Sequence, residues 1–317
     1  MNAGFFVSQL LQTVLAVSLA PLMLGWVNQC RAWLQNRTGA GVLQPYRLII
    51  KLFHKDAVLA HNASWLFRFA PYTVFGCMVL AVSIVPILAT DLPLSPVADV
   101  IALVGLFALA RVFMALAAMD VGTAFGSLGA RREMLVASLA EPALLMVFFT
   151  PALISQSTAL TTIVETLAHR ELTLYPSLAF AAVAFVMVLL AENARIPVDN
   201  PSTHLELTMI HEALLLEYSA RHLALLEWAH ALKLMTYTSI GIALFLPWGI
   251  APAGQWAMMP LSVLAFLVKL LLAGAALALL EAVSAKMRIF RVPEFLGMAF
   301  LLAVLGMLTR LLLGSAG

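Results

Sequence analysis

Glutamates placed inside or beside apolar segments are the residues best suited to chemistry in this chain. Glu141 lies within an apolar segment and is followed directly by Pro142, and Glu192 ends a later apolar segment. An ionised carboxylate beside hydrocarbon is costly unless it is paired or hydrated. Such a group therefore either exchanges protons or forms a buried ion pair. Both alternatives stay open for Glu141: a proton relay, or a structural ion pair with Arg111 of the preceding apolar segment.

A second group of acids follows Glu192, because six of the 16 acidic residues lie between residues 192 and 227. Thr203 and Glu206 fit a capping box, which predicts a helix that begins near Thr203. On that helix Glu206 and Glu217 would be separated by about three turns and would share one face. Glu212 would lie between them on a different face.

The remaining charges in apolar segments need partners of their own. Glu192 stands at a helix C-terminus, where an acid is unfavourable without a nearby cation, and Arg195 is close enough in sequence to supply one. Lys233, Lys269 and Glu281 complete the set. Intramembrane lysines are functional candidates, although snorkelling accounts for Lys233 almost as well.

Several familiar catalytic and metal-binding patterns are missing from the sequence. His211 and Glu212 begin like the HExxH zinc motif, but position 215 is leucine. The two cysteines, Cys30 and Cys77, form no CxxC pair. No catalytic residue, metal site or cofactor is therefore expected in this chain, and any redox centre must belong to a partner. Gly-rich phosphate loops and a nucleophile elbow are also missing, and we expect no nucleic-acid partner.

The composition indicates which elements hold these residues. The chain is 63% hydrophobic and 11% charged, and its mean hydropathy is +0.99. These values predict an all-α polytopic membrane protein, a single membrane domain over residues 1–317. Eight apolar stretches are long enough to span a bilayer: about 5–27, 69–90, 98–119, 133–155, 176–193, 228–250, 256–282 and 293–314.

Lys and Arg concentrate in the odd-numbered connections, which the positive-inside rule places in the cytoplasm. Both termini are then expected outside, and no basic segment precedes the first span as in a cleaved signal peptide. Two cytoplasmic loops, about 28–68 and 194–227, are long. Their length indicates a partner on the cytoplasmic side.

The first long loop contains a predicted amphipathic helix at the membrane interface, with Leu48, Ile49, Leu52 and Phe53 on its apolar side. Its basic side would face phospholipid or an acidic partner; the alternative is a solvated loop that obeys the positive-inside rule. The candidate docking residues of this loop are Gln44, Pro45, Arg47, Lys51 and Lys55.

Several segments together resemble one family across nearly the whole chain. GVLQPYRLIIKLFHKD resembles the first cytoplasmic loop of the H-type membrane subunit of respiratory complex I and of its counterparts in group 4 membrane-bound nickel-iron hydrogenases. ALAAMDVGTAFGSLGARREMLVASLAEP resembles the hydrogenase version of the next loop, and EWAHALKLMTYTSIGIALFLPWG resembles the sixth span. Two spaced motifs also match: D-x-G-x-x-F-x-x-x-G-A-x-R-E leading into Glu-Pro, and E-x-x-R-x-P-x-D followed by a glutamate and E-Y-S. They are met by Asp120, Gly122, Phe125, Gly129, Arg132, Glu133, Glu141, Pro142, Glu192, Arg195, Pro197, Asp199, Glu206, Glu217, Tyr218 and Ser219.

The resemblance implies eight transmembrane helices plus an interfacial helix, in the inner membrane of a bacterium or archaeon. It implies docking to a hydrogenase-like large subunit and an iron-sulfur small subunit on the cytoplasmic side, and contact with antiporter-like membrane subunits. The nickel-iron centre and the iron-sulfur clusters would belong to those partners. In this family a chain of carboxylates links electron transfer to ion pumping. The matching positions are Glu141, Glu192, Glu206 and Glu217, with Glu212 and Glu281 as weaker members. Beside this chain we select the following residues as candidate supporting charges: Arg111, Asp120, Arg195, Asp199, Lys233 and Lys269.

Departures from the family pattern favour its hydrogenase-like branch. Quinone-reducing members carry R-x-G-P-N-R-x-G where this chain has Arg37 to Val42, and they carry an acid at the place of His204. Three alternatives remain open at this point: a subunit that forms a quinone site, a stand-alone secondary transporter that uses Glu141, Arg111 and Lys269, and a purely structural anchor.

Overall fold

The computed structural model describes residues 3–90, 92–94, 97–169, 176–199, 209–251 and 258–314. The helices in these ranges are α1 Ala3–Leu34, α2 Gln44–Phe53, α3 Trp65–Ile84, α4 Val100–Asp120, α5 Ala124–Ser155, α6 Leu160–His169, α7 Pro176–Glu192, α8 His211–Leu215, α9 Ala220–Phe245, α10 Met259–Val283 and α11 Val292–Gly314. No β-strand occurs within them, only two isolated bridges. The predicted all-α fold is confirmed.

Six helices are long and apolar enough to cross a bilayer: α1, α3, α4, α5, α10 and α11. The other two predicted spans, about 176–193 and 228–250, correspond to α7 and α9. α7 has only 17 residues, and α9 carries His230, Lys233 and several hydroxyl side chains that lower its hydropathy. Eight helices of the bundle thus match the eight predicted spans. Six of these helices are both long enough and apolar enough to cross a bilayer.

The charged residues inside the bundle are positioned by α4, α5, α7 and α9. α11 packs against α5 and α7, α3 packs against α4 and α9, and α10 lies at the rim mainly against α1. The centre is apolar and aromatic: Tyr237 of α9 is fully buried and stacks on Phe107 of α4 with ring centroids 4.8 Å apart. The buried side chains of this interior are shielded from bulk solvent, which strengthens charge interactions among them.

The predicted amphipathic helix is present as α2. Pro45, Ile49 and Leu52 are buried, and the latter two pack against Ala224 of α9. Gln44, Arg47 and Lys51 are exposed, and Lys55 is exposed just beyond the helix end. Leu48 and Phe53, expected on the apolar side, are 39% and 43% exposed. Because the buried side rests on α9, these two side chains lie at its edges.

The connection between α4 and α5 is much shorter than predicted. α5 begins at Ala124 rather than near residue 133, so Arg131 and Arg132 lie on the helix. Gly122 has φ +74°, a left-handed conformation that favours glycine, and this permits the tight turn. Asp120 at the end of α4 accepts a hydrogen bond from the Ser64 backbone N–H at 2.8 Å, which fixes the start of α3.

The predicted continuous helix from Thr203 to Glu217 is wrong. Thr203 and Glu206 lie outside the described residues, but residues 209–210 are not helical, and α8 ends at Leu215. Glu217 lies in the turn that follows. Tyr218 stacks on Phe67 with ring centroids 4.0 Å apart and donates to the Phe67 carbonyl at 3.0 Å, which holds the backbone in that turn.

Candidate functional site

Arg111 of α4 is the centre of a buried charged cluster. Arg111 is 6% exposed, and its guanidinium faces three glutamates on two other helices. Nη1 contacts Glu141, Nη2 contacts both carboxylate oxygens of Glu192 at 2.6 and 2.7 Å, and Nε lies 3.5 Å from Oε1 of Glu133. Charge-assisted contacts of this kind are among the stronger polar interactions in proteins. The Arg111–Glu141 ion pair considered from the sequence is confirmed.

Glu192 ends α7 and is 3% exposed. Besides Arg111, it contacts Nζ of Lys233 in α9 at 2.9 Å. Lys233 therefore points into the bundle and does not snorkel to its edge. The expected neighbour Arg195 is not a partner, because Ala194 has φ +51° and the backbone turns away after the helix end. The cation that a helix C-terminus requires comes from other helices instead.

Glu141 occupies the more open side of the cluster, with a side chain that is 33% exposed. Pro142 follows it inside α5, so the helix lacks one backbone N–H there. A carboxylate that is paired on one side and partly accessible on the other can exchange a proton with water more readily than Glu192 can. The ion-pair alternative for Glu141 is therefore present in the structure, and the proton-relay alternative stays a prediction.

Two members of this site were not selected as site residues from the sequence. Glu133 of α5 is buried and lies 3.1 Å from Nε2 of His211, while Nδ1 of His211 lies 3.7 Å from Asp199. Glu133 is part of the matched family motif. Because it lies at the edge of an apolar stretch, the sequence does not indicate that its side chain is buried. His211 was considered only as a zinc ligand. The sequence signal that could have identified His211 as a site residue is its helical spacing beside acidic residues.

α8 holds His211 through close packing on α5. A Cβ on Gly129 of α5 would lie 2.7 Å from the Ala213 Cβ and 3.3 Å from the Ile210 carbonyl oxygen. In addition, Nη1 of Arg132 donates to the Met209 carbonyl at 2.8 Å. Only glycine lets the two helices approach this closely.

We expect Gly129→Ala to displace α8 and cost about 1–3 kcal/mol in the free energy of unfolding, as overpacking does. Gly105→Ala is the matched control, because a Cβ there meets nothing within 4 Å. Thermal unfolding of both variants in detergent checks this expectation. Equal midpoints would contradict the close contact between α5 and α8.

Glu281 belongs to a second, separate cluster. Its oxygens lie 3.1 Å from Nη1 of Arg195 and 3.4 Å from Nη1 of Arg31, so it joins α10 to α1 and to the connection after α7. Burial lowers the pKa of the Arg195 guanidinium, and the Glu281 carboxylate opposes that shift. Glu281 was expected as a weaker member of the carboxylate chain, but it does not contact the Arg111 cluster.

Lys269 lies apart from the Arg111 cluster. Its Nζ donates to the Leu246 carbonyl at 2.5 Å and to the Trp248 carbonyl, which satisfies backbone oxygens at the end of α9. A pathway lined by Arg111, Glu141 and Lys269 is therefore not assembled. Glu212 and Glu217 are half-buried in α8 and in the following turn.

A cavity of about 100 Å³ adjoins the cluster. One side is apolar, and the other carries the charged and ionisable groups of the site. A water molecule needs roughly 10–15 Å³ by the same measure, so several waters fit. The polar lining consists of Arg111, Glu133, His211, His230 and Lys233.

The sequence and the fold of this chain are similar to those of known proteins. The profile of the NADH dehydrogenase family matches residues 7–311. The chain belongs to this family. Formate hydrogenlyase subunit 4 of Escherichia coli (strain K12) is 32% identical over 296 residues, which are 92% of this chain and 95% of that protein. Hydrogenase-4 component C of the same organism is 34% identical over 297 residues, 93% of each chain.

A solved structure supports the same fold for this NADH dehydrogenase family member. A chain of the membrane-bound sulfane sulfur reductase, described as an archaeal respiratory membrane complex, superposes with a TM-score of 0.79. The match covers 96% of this chain and 99% of the other at 20% identity. The chain is thus a multi-pass membrane protein related to complex I, and its relatives are subunits of hydrogenase and formate hydrogenlyase complexes. Within the described ranges, no group of three or more His, Cys, Asp or Glu could hold a metal ion.

Proposed function

We propose that this chain is the non-redox membrane subunit of a hydrogenase-like oxidoreductase, in which it couples electron transfer in partner subunits to proton or cation translocation. The observation that carries the proposal is the buried cluster in which Arg111 and Lys233 face three glutamates. An anchor for a soluble partner needs no such cluster deep among its helices, and buried charges are costly to keep.

The charge balance of the cluster supports proton binding. With all groups ionised, two cations face three carboxylates, Glu133, Glu141 and Glu192, which leaves one negative charge in excess. In a buried site that excess favours the uptake of a proton or another cation. A change of charge on the neighbouring connection alters that preference, which is the electrostatic form of coupling.

The partners follow from the family and from the distribution of charge. We place a hydrogenase-like large subunit and an iron-sulfur small subunit against the end of the bundle that carries α2 and the 193–219 connection. Nickel-iron and iron-sulfur centres would reside in them. Antiporter-like subunits would continue the route within a bacterial or archaeal inner membrane, with both termini outside. Exposed Arg47, Lys51 and Lys55 suit contact with phospholipid or an acidic surface there.

The carboxylate route starts on the partner side, where Asp199 and Glu217 lie on the connection between α7 and α9. It continues through Glu192 and Glu133 to Glu141, which opens toward the next subunit. Glu206 lies outside the described residues and remains a proposed member. The names of the two Escherichia coli relatives favour hydrogenase-type chemistry over quinone reduction.

The direct test is Glu141→Gln in the purified complex reconstituted into liposomes. Glutamine keeps a hydrogen bond to Arg111 but cannot carry a proton. We expect redox-driven proton uptake, followed with a pH-sensitive dye, to fall at least about tenfold, while hydrogen evolution from reduced methyl viologen stays within twofold. Glu192→Gln should behave in the same way.

Glu294→Gln is the matched control, because this glutamate is exposed in the first turn of α11. It should leave both measurements unchanged. Normal proton uptake in Glu141→Gln and Glu192→Gln would refute the coupling role and favour a structural anchor. Quinone reduction without hydrogen evolution would move the chain to the quinone-reducing branch.

A further inference from the structure

His211 lies between two carboxylates that belong to different parts of the fold. It is the first residue of α8, and its imidazole reaches from the connection after α7 to the buried face of α5. Its two ring nitrogens face two different carboxylates. Nε2 lies 3.1 Å from Oε2 of Glu133, and Nδ1 lies 3.7 Å from Oδ2 of Asp199. The imidazole thus stands between an acid of the connection and an acid of the Arg111 cluster.

We propose that His211 is a proton-relay residue that connects Asp199 to Glu133 and so joins the partner-facing connection to the Arg111 cluster. This inference rests on the coupling function proposed above. It adds an entry route that the glutamates alone do not provide, because the imidazole contacts both Asp199 and Glu133.

The proton step is balanced within these three groups. A proton on the Asp199 carboxyl forms an N–H bond at Nδ1 as its O–H bond breaks, and the ring becomes imidazolium. The proton at Nε2 then leaves to Oε2 of Glu133. One proton has moved from Asp199 to Glu133, and the neutral ring carries its hydrogen on Nδ1. The ring returns to its first tautomer by proton exchange with water in the adjoining cavity, in which Nδ1 gives up its proton to water and Nε2 takes one from water.

The two sides of the relay are unequal. Both ring nitrogens are buried, and neither makes a hydrogen bond of normal geometry with the described residues. A direct transfer requires about 2.6–3.2 Å between heavy atoms. The Glu133 side already meets that distance, whereas the Asp199 side is longer by about half an ångström. A small shift of the connection on docking of the redox partner would close it, so the relay responds to the partner.

The electrostatic surroundings of His211 come from five elements. α5 supplies Glu133, the connection supplies Asp199, and α7 supplies Glu192. α4 supplies Arg111, and α9 supplies His230 and Lys233 across the cavity. The ring thus lies among charges of both signs, and a carboxylate faces each of its two nitrogens.

His211→Gln tests the relay in the complete complex in liposomes. Glutamine can hydrogen-bond but cannot pass a proton between two acids. We expect redox-driven proton uptake to fall at least about tenfold, with hydrogen evolution from reduced methyl viologen within twofold of the parent. His61→Gln, at an exposed loop position, is the matched control and should change neither.

Chemical rescue separates a relay from a structural role. His211→Gly leaves space next to the cavity, and added imidazole should restore proton uptake. 1-Methylimidazole should not, because its one free nitrogen cannot connect two carboxylates. Normal uptake in His211→Gln, or equal rescue by both compounds, would overturn the relay. If Glu141→Gln abolishes uptake while His211→Gln does not, only the relay fails; if neither does, the coupling function itself fails.

Discussion

Arg111→Leu is expected to destabilise the folded chain by about 3–5 kcal/mol, the cost of removing one partner from a buried ion pair. The reason is that Glu133, Glu141 and Glu192 would lose their shared cation inside the bundle. Because folded proteins are stable by only about 5–15 kcal/mol, most of the variant should fail to assemble. The amount of assembled complex in membranes and its thermal midpoint in detergent measure the effect.

Two further variants sharpen this expectation. Arg288→Leu removes an exposed arginine and should leave assembly unchanged. Arg111→Leu combined with Glu192→Leu removes both charges of the most deeply buried pair and should recover part of the lost stability, since a buried pair replaced by apolar side chains is often neutral. Full stability of Arg111→Leu alone would show that the glutamates do not depend on this guanidinium.

Arg111→Lys distinguishes charge from geometry. Lysine keeps the positive charge but presents a single ammonium group, whereas the guanidinium directs three nitrogens toward three different carboxylates. We therefore expect assembly to survive largely intact and coupling to be impaired.

Most of the bundle was predictable because its signals are local. A run of about 20 apolar residues is sufficient to indicate a span, and the spacing of Ile49 and Leu52 is sufficient to indicate the buried side of α2. The predictions are wrong where a contact between residues far apart in the sequence determines the local structure. The helix from Thr203 was one example, because the stacking of Tyr218 on Phe67, which lies on another helix, holds the turn after α8.

The sequence indicates which residues belong to the site better than it indicates which of them contact one another. Glu141, Glu192, Arg111 and Lys233 stand out because charges in apolar segments are rare. Which charges meet depends on how each helix is rotated and shifted against its neighbours, and sequence spacing does not contain that information. Arg195 is three residues from Glu192, yet a left-handed residue between them sends it toward Glu281 instead.

The ion pair between Arg195 and Glu281 is the basis of the second prediction with a large expected effect on stability. Glu281→Leu should destabilise the chain by about 3–5 kcal/mol, because the fully buried Arg195 would keep its charge without an acid. Nε and Nη2 of Arg195 already lack hydrogen-bond partners among the described residues, so Glu281 is the acid that compensates its burial. The half-buried partner Arg31 would lose less, since water reaches part of its side chain.

The control is the double variant Glu281→Leu with Arg195→Met. It tests the ion pairs through which Glu281 joins α10 to α1 and to the connection after α7. It removes the buried charge together with its partner and should restore much of the thermal midpoint in detergent. Glu281 contacts neither Arg111 nor Lys233, so any double-variant protein that assembles should still take up protons during turnover. Loss of proton uptake in a stable double variant would instead place Glu281 on the coupling route, in direct contradiction to its separation from the Arg111 cluster.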